Sequence, residues 1–577
     1  MKQMLSYLKG YRKESILAPA FKMLEATFDL LVPLVMASII NIGIVDKNTN
    51  YIVRQCIILV LLGIIGLICS ITAQYFASKA AVGYATALRS SLFKHIQSLG
   101  FSEMDTLGTS TLITRMTSDT NQVMNGLNLF LRLFLRSPFI VFGSLIMAFH
   151  INSKVALIFV IIIPLLSLIV FGIMFYTMPL YKKAQGKLDQ LLGITRENLS
   201  GVRVIRTFNK EKSEISRFEM ANSLFTSLQQ KVGRISGLMN PITFIVANLG
   251  IIAILYTGAI NVNLGEMQTG DVIALVSYMS QILIELVKLA NLIIQITKGV
   301  ACAGRIQTIF QTKTDMDFCD SINLNHSSNT TDAVCFDNVS LTYKGASENS
   351  LNNINFKVAP GQTIGIIGGT GSGKSSLINL IPRFYDATTG TVTLFGKPVK
   401  EYSKNELRDL VGIVMQKALL FKGTIRSNLL LGNENATQEE LWQALAIAQS
   451  DKFVKEKKYG LEDPVEQGGR NLSGGQKQRL TIARALVKKP KILILDDSSS
   501  ALDYATDAAL RKELRDLPKS MTIFIVSQRT SSVMQADQIF VLEDGAIVGT
   551  GNHEELLENC TIYKEIYESQ YRKGGDK

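Results

Sequence analysis

Charge is the first scarcity. Only 19% of the 577 residues are Asp, Glu, Lys or Arg, against 47% hydrophobic, where a soluble chain carries about 25% charged residues. With a mean hydropathy of +0.21, this excludes both a disordered chain and a wholly water-soluble one. Cysteine is sparse too. The six present (Cys56, Cys69, Cys302, Cys319, Cys335 and Cys560) include no C-x-x-C pair, so neither a disulfide framework nor a thiolate metal site is expected, and the thiols read as reduced and structural. Proline is absent from 79–126 and 182–234, so nothing there interrupts a helix. A cleavable leader is not expected either: Met1–Lys13 is basic and amphipathic, and the apolar stretch after it is long and lacks a small-residue cleavage site.

What the chain has instead is long apolar runs. Residues 55–78, 137–153, 155–181 and 235–265 contain no Asp, Glu, Lys or Arg, and three of these exceed the roughly 20 residues that cross a bilayer. With two weaker stretches, the spans are expected at about 16–44, 52–78, 127–151, 155–181, 238–264 and 271–297. Eleven Lys and Arg lie in 179–241 and none in 261–271, a distribution that predicts both termini in the cytoplasm. The same distribution sets the net charge of +12 beside anionic lipid headgroups, so no nucleic-acid partner is needed to explain it. The proline-free stretches read as long helical struts below the membrane, each broken at its tip, at Gly100–Gly108 and at Gly201–Lys210.

The composition changes at 311–332, a polar stretch without apolar periodicity that reads as a linker between a helical transmembrane domain (1–310) and a soluble domain (333–577). Its two sequons, Asn325 and Asn329, fall on the cytoplasmic side and predict no glycan. Beyond it, β-rich and helical runs alternate. The strand Thr363–Ile367 leads into Gly368-Gly369-Thr370-Gly371-Ser372-Gly373-Lys374-Ser375, and a helix opens at Ser376. This strand–loop–helix sequence is a P-loop: glycine lets backbone N–H groups close around phosphates, Lys374 reaches the β- and γ-phosphates of ATP, and Ser375 can ligate Mg²⁺. A second apolar strand, Ile492–Leu495, ends in Asp496 and Asp497, and Asp496 is placed to hold Mg²⁺ through water.

Leu472-Ser473-Gly474-Gly475-Gln476 resembles the signature motif of ATP-binding cassette (ABC) proteins, and the resemblance covers essentially the whole chain. Six spans with long struts followed by one α/β P-loop nucleotide-binding domain resemble a half-transporter of the ABC exporter class. The resemblance assigns Tyr343 to adenine stacking, Gln416 to the Q-loop and the Mg²⁺ site, Ser500-Ala501-Leu502-Asp503 to the D-loop, and the tips near 104–112 and 202–210 to coupling helices. It also implies that Ser473, Gly474, Gly475 and Gln476 complete the ATP site of a second chain.

Two positions depart from the family pattern. Asp497 stands where a hydrolytic member has the glutamate that orients water, and Gln528 stands where the switch histidine would be. Aspartate is a methylene short. Gln528 can hydrogen-bond a γ-phosphate but cannot become a cation, and none of the histidines (95, 150, 326, 553) is placed to replace it. This combination resembles the degenerate-site subunit of heterodimeric, multidrug-type bacterial exporters, which implies a non-identical partner half-transporter and amphipathic small molecules as cargo. Peptide or lipid cargo, or an ATP-gated channel-like assembly, is the alternative. For cargo contacts the sequence offers Glu25 and Asp29, four apart on one face of the first span, as an acidic pair suited to amphipathic cations, or as partners of Lys22 or another basic residue.

Overall fold

A computed structural model describes residues 4, 6–314, 316, 318, 332–517 and 520–571. Residues 319–331 of the expected linker, with both sequons, Cys319 and His326, lie outside these. The chain forms two compact units, one of Met1–Gln97 with Ser110–Thr312 and one of Ser98–Thr109 with Lys313–Lys577.

The first unit is helical. Among the described residues, six passages are long and apolar enough to cross a membrane: Ser6–Ile44, Thr49–Ser98, Thr109–Ile151, Ser153–Ser200, Glu211–Asn263 and Thr269–Gln311. Span and strut are continuous where no helix breaker intervenes. Thr49–Ser98, for example, is one helix of 50 residues, about 75 Å at 1.5 Å per residue. Phe159, Tyr278, Met279 and Ile282 are fully buried at the centre of the unit, where the Tyr278 hydroxyl donates to the Leu30 carbonyl at 2.6 Å. Glycine allows close helix approach. A Cβ at Gly126 would lie 3.3 Å from the Gly299 Cα, the small-residue contact by which membrane helices pack without a hydrophobic drive between them. Large apolar side chains such as Ile68, Phe142 and Leu168 are exposed, as suits a surface facing hydrocarbon.

Of the two readings of Glu25 and Asp29, the packing shows the pairing with basic residues. Lys22 pairs with Glu25 at 2.5 Å and Arg136 with Asp29 at 2.8 Å. Arg136 also reaches the buried Glu285 at 2.7 Å. A carboxylate removed from water requires a cation; Glu25 finds its own three residues earlier on the same helix, and Asp29 takes Arg136 from another helix.

The second unit carries two main sheets. Antiparallel strands Leu351–Val358, Val334–Leu341, Thr389–Leu394 and Lys397–Pro398 lie side by side in that order. The other sheet has six strands in the order Ala546–Gly551, Gln538–Glu543, Thr363–Gly368, Thr522–Val526, Ile492–Asp496 and Val411–Val414. All its pairings are parallel except the first, an antiparallel hairpin. Its central strands are continuous apolar runs because both faces are covered, one by the antiparallel sheet with the helix Lys374–Leu380 and the other by helices, so no alternation is required. Val526 pairs with Ile366 on one side and Asp496 on the other. This register brings three strand ends level, at the edge where open parallel sheets bind ligands.

Ser98–Thr109 belongs to this second unit although it precedes the expected boundary at 310 by some two hundred residues. Its helix Phe101–Leu107 lays Phe101 on Phe384, with ring centroids 4.4 Å apart, and Asp105 accepts the Tyr385 hydroxyl at 2.6 Å.

Candidate nucleotide site

At the level strand ends, Gly371 and Gly373 take φ of 86° and 94°, a region that only glycine occupies readily. At two positions there is also no room for a side chain: a Cβ at Gly373 would lie 2.8 Å from the Ser350 carbonyl, and one at Gly368 2.2 Å from the Leu542 carbonyl. The loop passes directly into the helix Lys374–Leu380 through Gly373 as its N-cap. Lys374 donates to the Gly368 carbonyl at 2.8 Å, and also to the Gly369 carbonyl and the Ser372 hydroxyl. The Ser375 hydroxyl donates to the Asp496 carboxylate at 3.1 Å, joining two residues 121 apart in sequence.

These groups line a cleft of about 790 Å³ with Gln416, Asp497, Ser527 and Gln528. Burial pushes the Asp496 carboxyl above the usual range, against the opposing Ser375 hydrogen bond. Burial also holds the Lys374 ammonium below its usual value, and the nearby Asp496 and Asp497 raise it only partly back. A cleft lined by a glycine-rich loop at a helix start and by a lysine suits a polyphosphate. A hydroxyl paired with a carboxylate is the hard oxygen donor set of Mg²⁺. Both groups fit the residues present.

Asp497 has φ of 45°, a left-handed backbone that aspartate tolerates better than most residues. Its N–H donates to the Val526 carbonyl at 2.9 Å, and Gln416 reaches its carboxylate at 3.5 Å. Among the described residues, no histidine lines the cleft. His553 instead opens a helix and contacts the Tyr563 hydroxyl at 2.8 Å.

The remaining sequence-predicted residues lie elsewhere. Tyr343 does not line this cleft. Its hydroxyl donates to Ser376 at 3.0 Å, its ring meets Tyr385 edge-on at 5.0 Å, and it lines a neighbouring pocket with Ser102 and Glu103. Ser473 caps the helix Gly474–Val487 in a reciprocal pair with Gln476, and Asp503 caps the helix Tyr504–Arg515 through Thr506. Neither capping residue faces its own chain's cleft. Motif reasoning missed Glu348, Asn349 and Ser350, and also the turn Asp544–Gly545 that borders the cleft beside the P-loop, where the Gly545 N–H donates to the Ser372 carbonyl at 3.3 Å. Asp-Gly between two β-rich runs is a hairpin signal legible in the sequence, and here it takes φ of 45° and 79°.

A model of the ABC transporter transmembrane region matches residues 15–286, and one described as ABC transporter matches 351–500. The chain is 35% identical over 571 residues to an uncharacterized ABC transporter ATP-binding protein of Mycobacterium tuberculosis, covering 98% of this chain and 97% of that one. It is 28% identical over 557 residues to the ATP-dependent lipid A-core flippase of Escherichia coli, at 96% and 95% coverage. A bacterial Atm1-family ABC exporter with ATP bound shares its fold, with a TM-score of 0.81 at 22% identity over 97% of this chain and 100% of that one. Six membrane-length helices joined to an ATP-hydrolysing cassette on a single polypeptide place this chain in the ABC transporter family, as a half-transporter of an ATP-driven exporter.

Proposed function

We propose that this chain is the degenerate-site subunit of a heterodimeric exporter in the bacterial plasma membrane, with both termini and the nucleotide-binding domain in the cytoplasm. Its own P-loop binds ATP and Mg²⁺ through Lys374, Ser375, Gln416 and, by way of water, Asp496, and turns over slowly. Its signature residues Ser473–Gln476 complete the fast site on a non-identical partner. The observation that carries this reading is the pairing of Asp497 and Gln528 in one cleft with Lys374. Both groups that would act on the attacking water are altered together, while every phosphate-binding residue is in place. A carboxylate drawn back by about 1 Å costs orders of magnitude in rate, and a glutamine cannot supply a switch cation.

For cargo, the first unit holds a cavity of about 530 Å³ between its helices. Four cations line it (Lys22, Arg132, Arg136 and Lys288) against two carboxylates, Glu25 and Glu285. Among the described residues Arg132 bonds only to the Gln74 amide oxygen, and the Nε atoms of Arg132 and Arg136 are buried without partners. A cationic surplus at membrane depth favours an amphiphile with an anionic head over a cationic drug. The likeness to a lipid A-core flippase supports lipid-like cargo.

The test is turnover of the purified single chain in lipid. We expect ATP binding with hydrolysis at least about tenfold below that of the complex with its partner. Fast turnover by the single chain, abolished by Lys374→Ala, overturns the reading.

A further inference from the structure

The backbone that carries Gln528 into the nucleotide cleft has no regular partner of its own. The strand Thr522–Val526 ends two residues earlier, and the ladder extends by a single bond, from the Ser527 N–H to the Ile366 carbonyl at 3.0 Å. The Ser527 hydroxyl then accepts the Arg529 N–H at 3.0 Å. This leaves the Gln528 carbonyl and the Thr530 N–H, both of which need partners so close to the core, and one side chain provides both. Gln570, near the end of the helix Thr561–Tyr571, donates its Nε2 to the Gln528 carbonyl at 2.8 Å and accepts the Thr530 N–H at 2.9 Å with its Oε1. The same oxygen accepts the fully buried Thr530 hydroxyl at 3.0 Å. The amide thus stands in for one peptide group of a neighbouring strand, with donor and acceptor each facing its complement.

The helix that holds Gln570 is anchored. Tyr563 is fully buried and packs in one cluster with Ile367, Ile539 and Val541 of the six-stranded sheet. The next residues of the switch segment are held from another element: Arg511, on the helix Tyr504–Arg515, donates to the Ser531 carbonyl, and Ser499 meets Ser532 at 3.3 Å. Among the described residues only Gln570 grips the backbone of residue 528 from beyond the switch segment.

We infer that Gln570 is a positioning residue for the nucleotide site: through the C-terminal helix it sets where the Gln528 amide meets the γ-phosphate of bound ATP. This rests on the reading that Gln528 senses that phosphate. Hydrogen-bond geometry at a phosphate falls off over tenths of an ångström, so a segment released at 528 loses its preference for ATP over ADP before it loses nucleotide binding. The C-terminal helix then becomes a handle on the site, since a ligand or partner that bends it moves Gln528.

The experiment measures ATP and ADP affinities by displacement of a fluorescent ATP analogue from the full-length chain in lipid nanodiscs, with melting temperature followed in parallel. Gln528→Ala tests the underlying reading and is expected to reduce the ATP-to-ADP affinity ratio about fivefold, an effect of the size of one hydrogen bond. Gln570→Ala is expected to reduce it to a similar extent at near-normal ADP affinity. The double variant should fall no further than the larger single change, because both act through one contact. Gln570→Glu keeps the acceptor for Thr530 and loses the donor to residue 528, so it should hold the melting temperature and still reduce the ratio. An unchanged ratio in Gln528→Ala overturns the sensing role. A reduced ratio there with an unchanged one in either folded Gln570 variant, multiplicative effects in the double variant, or failure of both Gln570 variants to fold overturns the positioning role.

Discussion

Asp497 shows how one residue can meet a backbone demand and set a chemical limit. Its left-handed φ of 45° suits aspartate, and the same choice withdraws the carboxylate by one methylene. Asp497→Glu is therefore expected to gain reach against some backbone strain and to raise hydrolysis at this site only in part. Adding Gln528→His should raise it more than either change alone, because both groups act on one transition state. Equal ATPase rates in the wild-type and doubly changed complexes count against a chemical origin of the asymmetry. Asp503 makes a different prediction. The Thr506 backbone N–H, donating to its side chain, holds its carboxyl below the usual carboxylate range. A lowered folded value stabilises the fold above the ordinary aspartate value of about 3.9, and that contribution is lost as pH falls through the folded value. Asp503→Ala should therefore melt earlier than wild type at pH 7, with the gap closing in acid; a gap independent of pH excludes the charge as its source.

Among the elements, the helix Phe101–Leu107 is the least expected in its allegiance. Sequence reasoning places a coupling helix at the strut tip; the helix present there packs its side chains with Phe384 and Tyr385 of the nucleotide-binding domain. Burial raises the Tyr385 phenol well above its ordinary value, and the Asp105 carboxylate adds to the shift, so across the working pH range the phenol stays a donor to Asp105. Tyr385 also touches Tyr343, which bonds to Ser376 beside the P-loop. Contacts thus run unbroken from the transverse helix to the phosphate-binding helix. We expect Phe101→Ala to reduce ATP-driven transport at least about fivefold while ATP binding stays within twofold, since the ring lies outside the phosphate cleft. Equal losses of binding and transport would show the contact to be merely structural. Tyr385→Phe keeps the ring and removes the donor, and should give the smaller effect.

At the scale of the whole transporter, the two halves of each ATP site come from different chains in our reading, so substitutions in this chain should rank by the site they touch. The glycine environments select the variant. A Cβ at Gly475 would come 3.2 Å from the Ala501 carbonyl of the same chain, whereas nothing lies within 4 Å of one at Gly474. Gly474→Glu is thus the cleaner obstacle to the partner's nucleotide. It should reduce ATPase of the assembled complex at least about tenfold, roughly 1.4 kcal/mol of transition-state stabilisation, with Asp497→Asn near wild type. The reverse ranking at saturating ATP would exchange the two site assignments.

Local pattern alone determined much of this protein. Charge-free runs mark membrane helices because hydrocarbon cannot solvate ions, and the P-loop, the carboxylates ending Ile492–Asp496 and the signature helix cap are legible because each is contiguous in the chain. The same holds for the two altered positions, 497 and 528. Tertiary structure decided what depends on residues far apart. The Ser375–Asp496 pair follows from parallel register, the Arg136 beside Asp29 from helix packing, and the return of Ser98–Thr109 to the second unit from aromatic contact with residues some 280 positions later. Gln570 carried no signal at all. An amide on a polar helix face resembles any solvated side chain until the fold sets it against a backbone carbonyl and N–H that need partners.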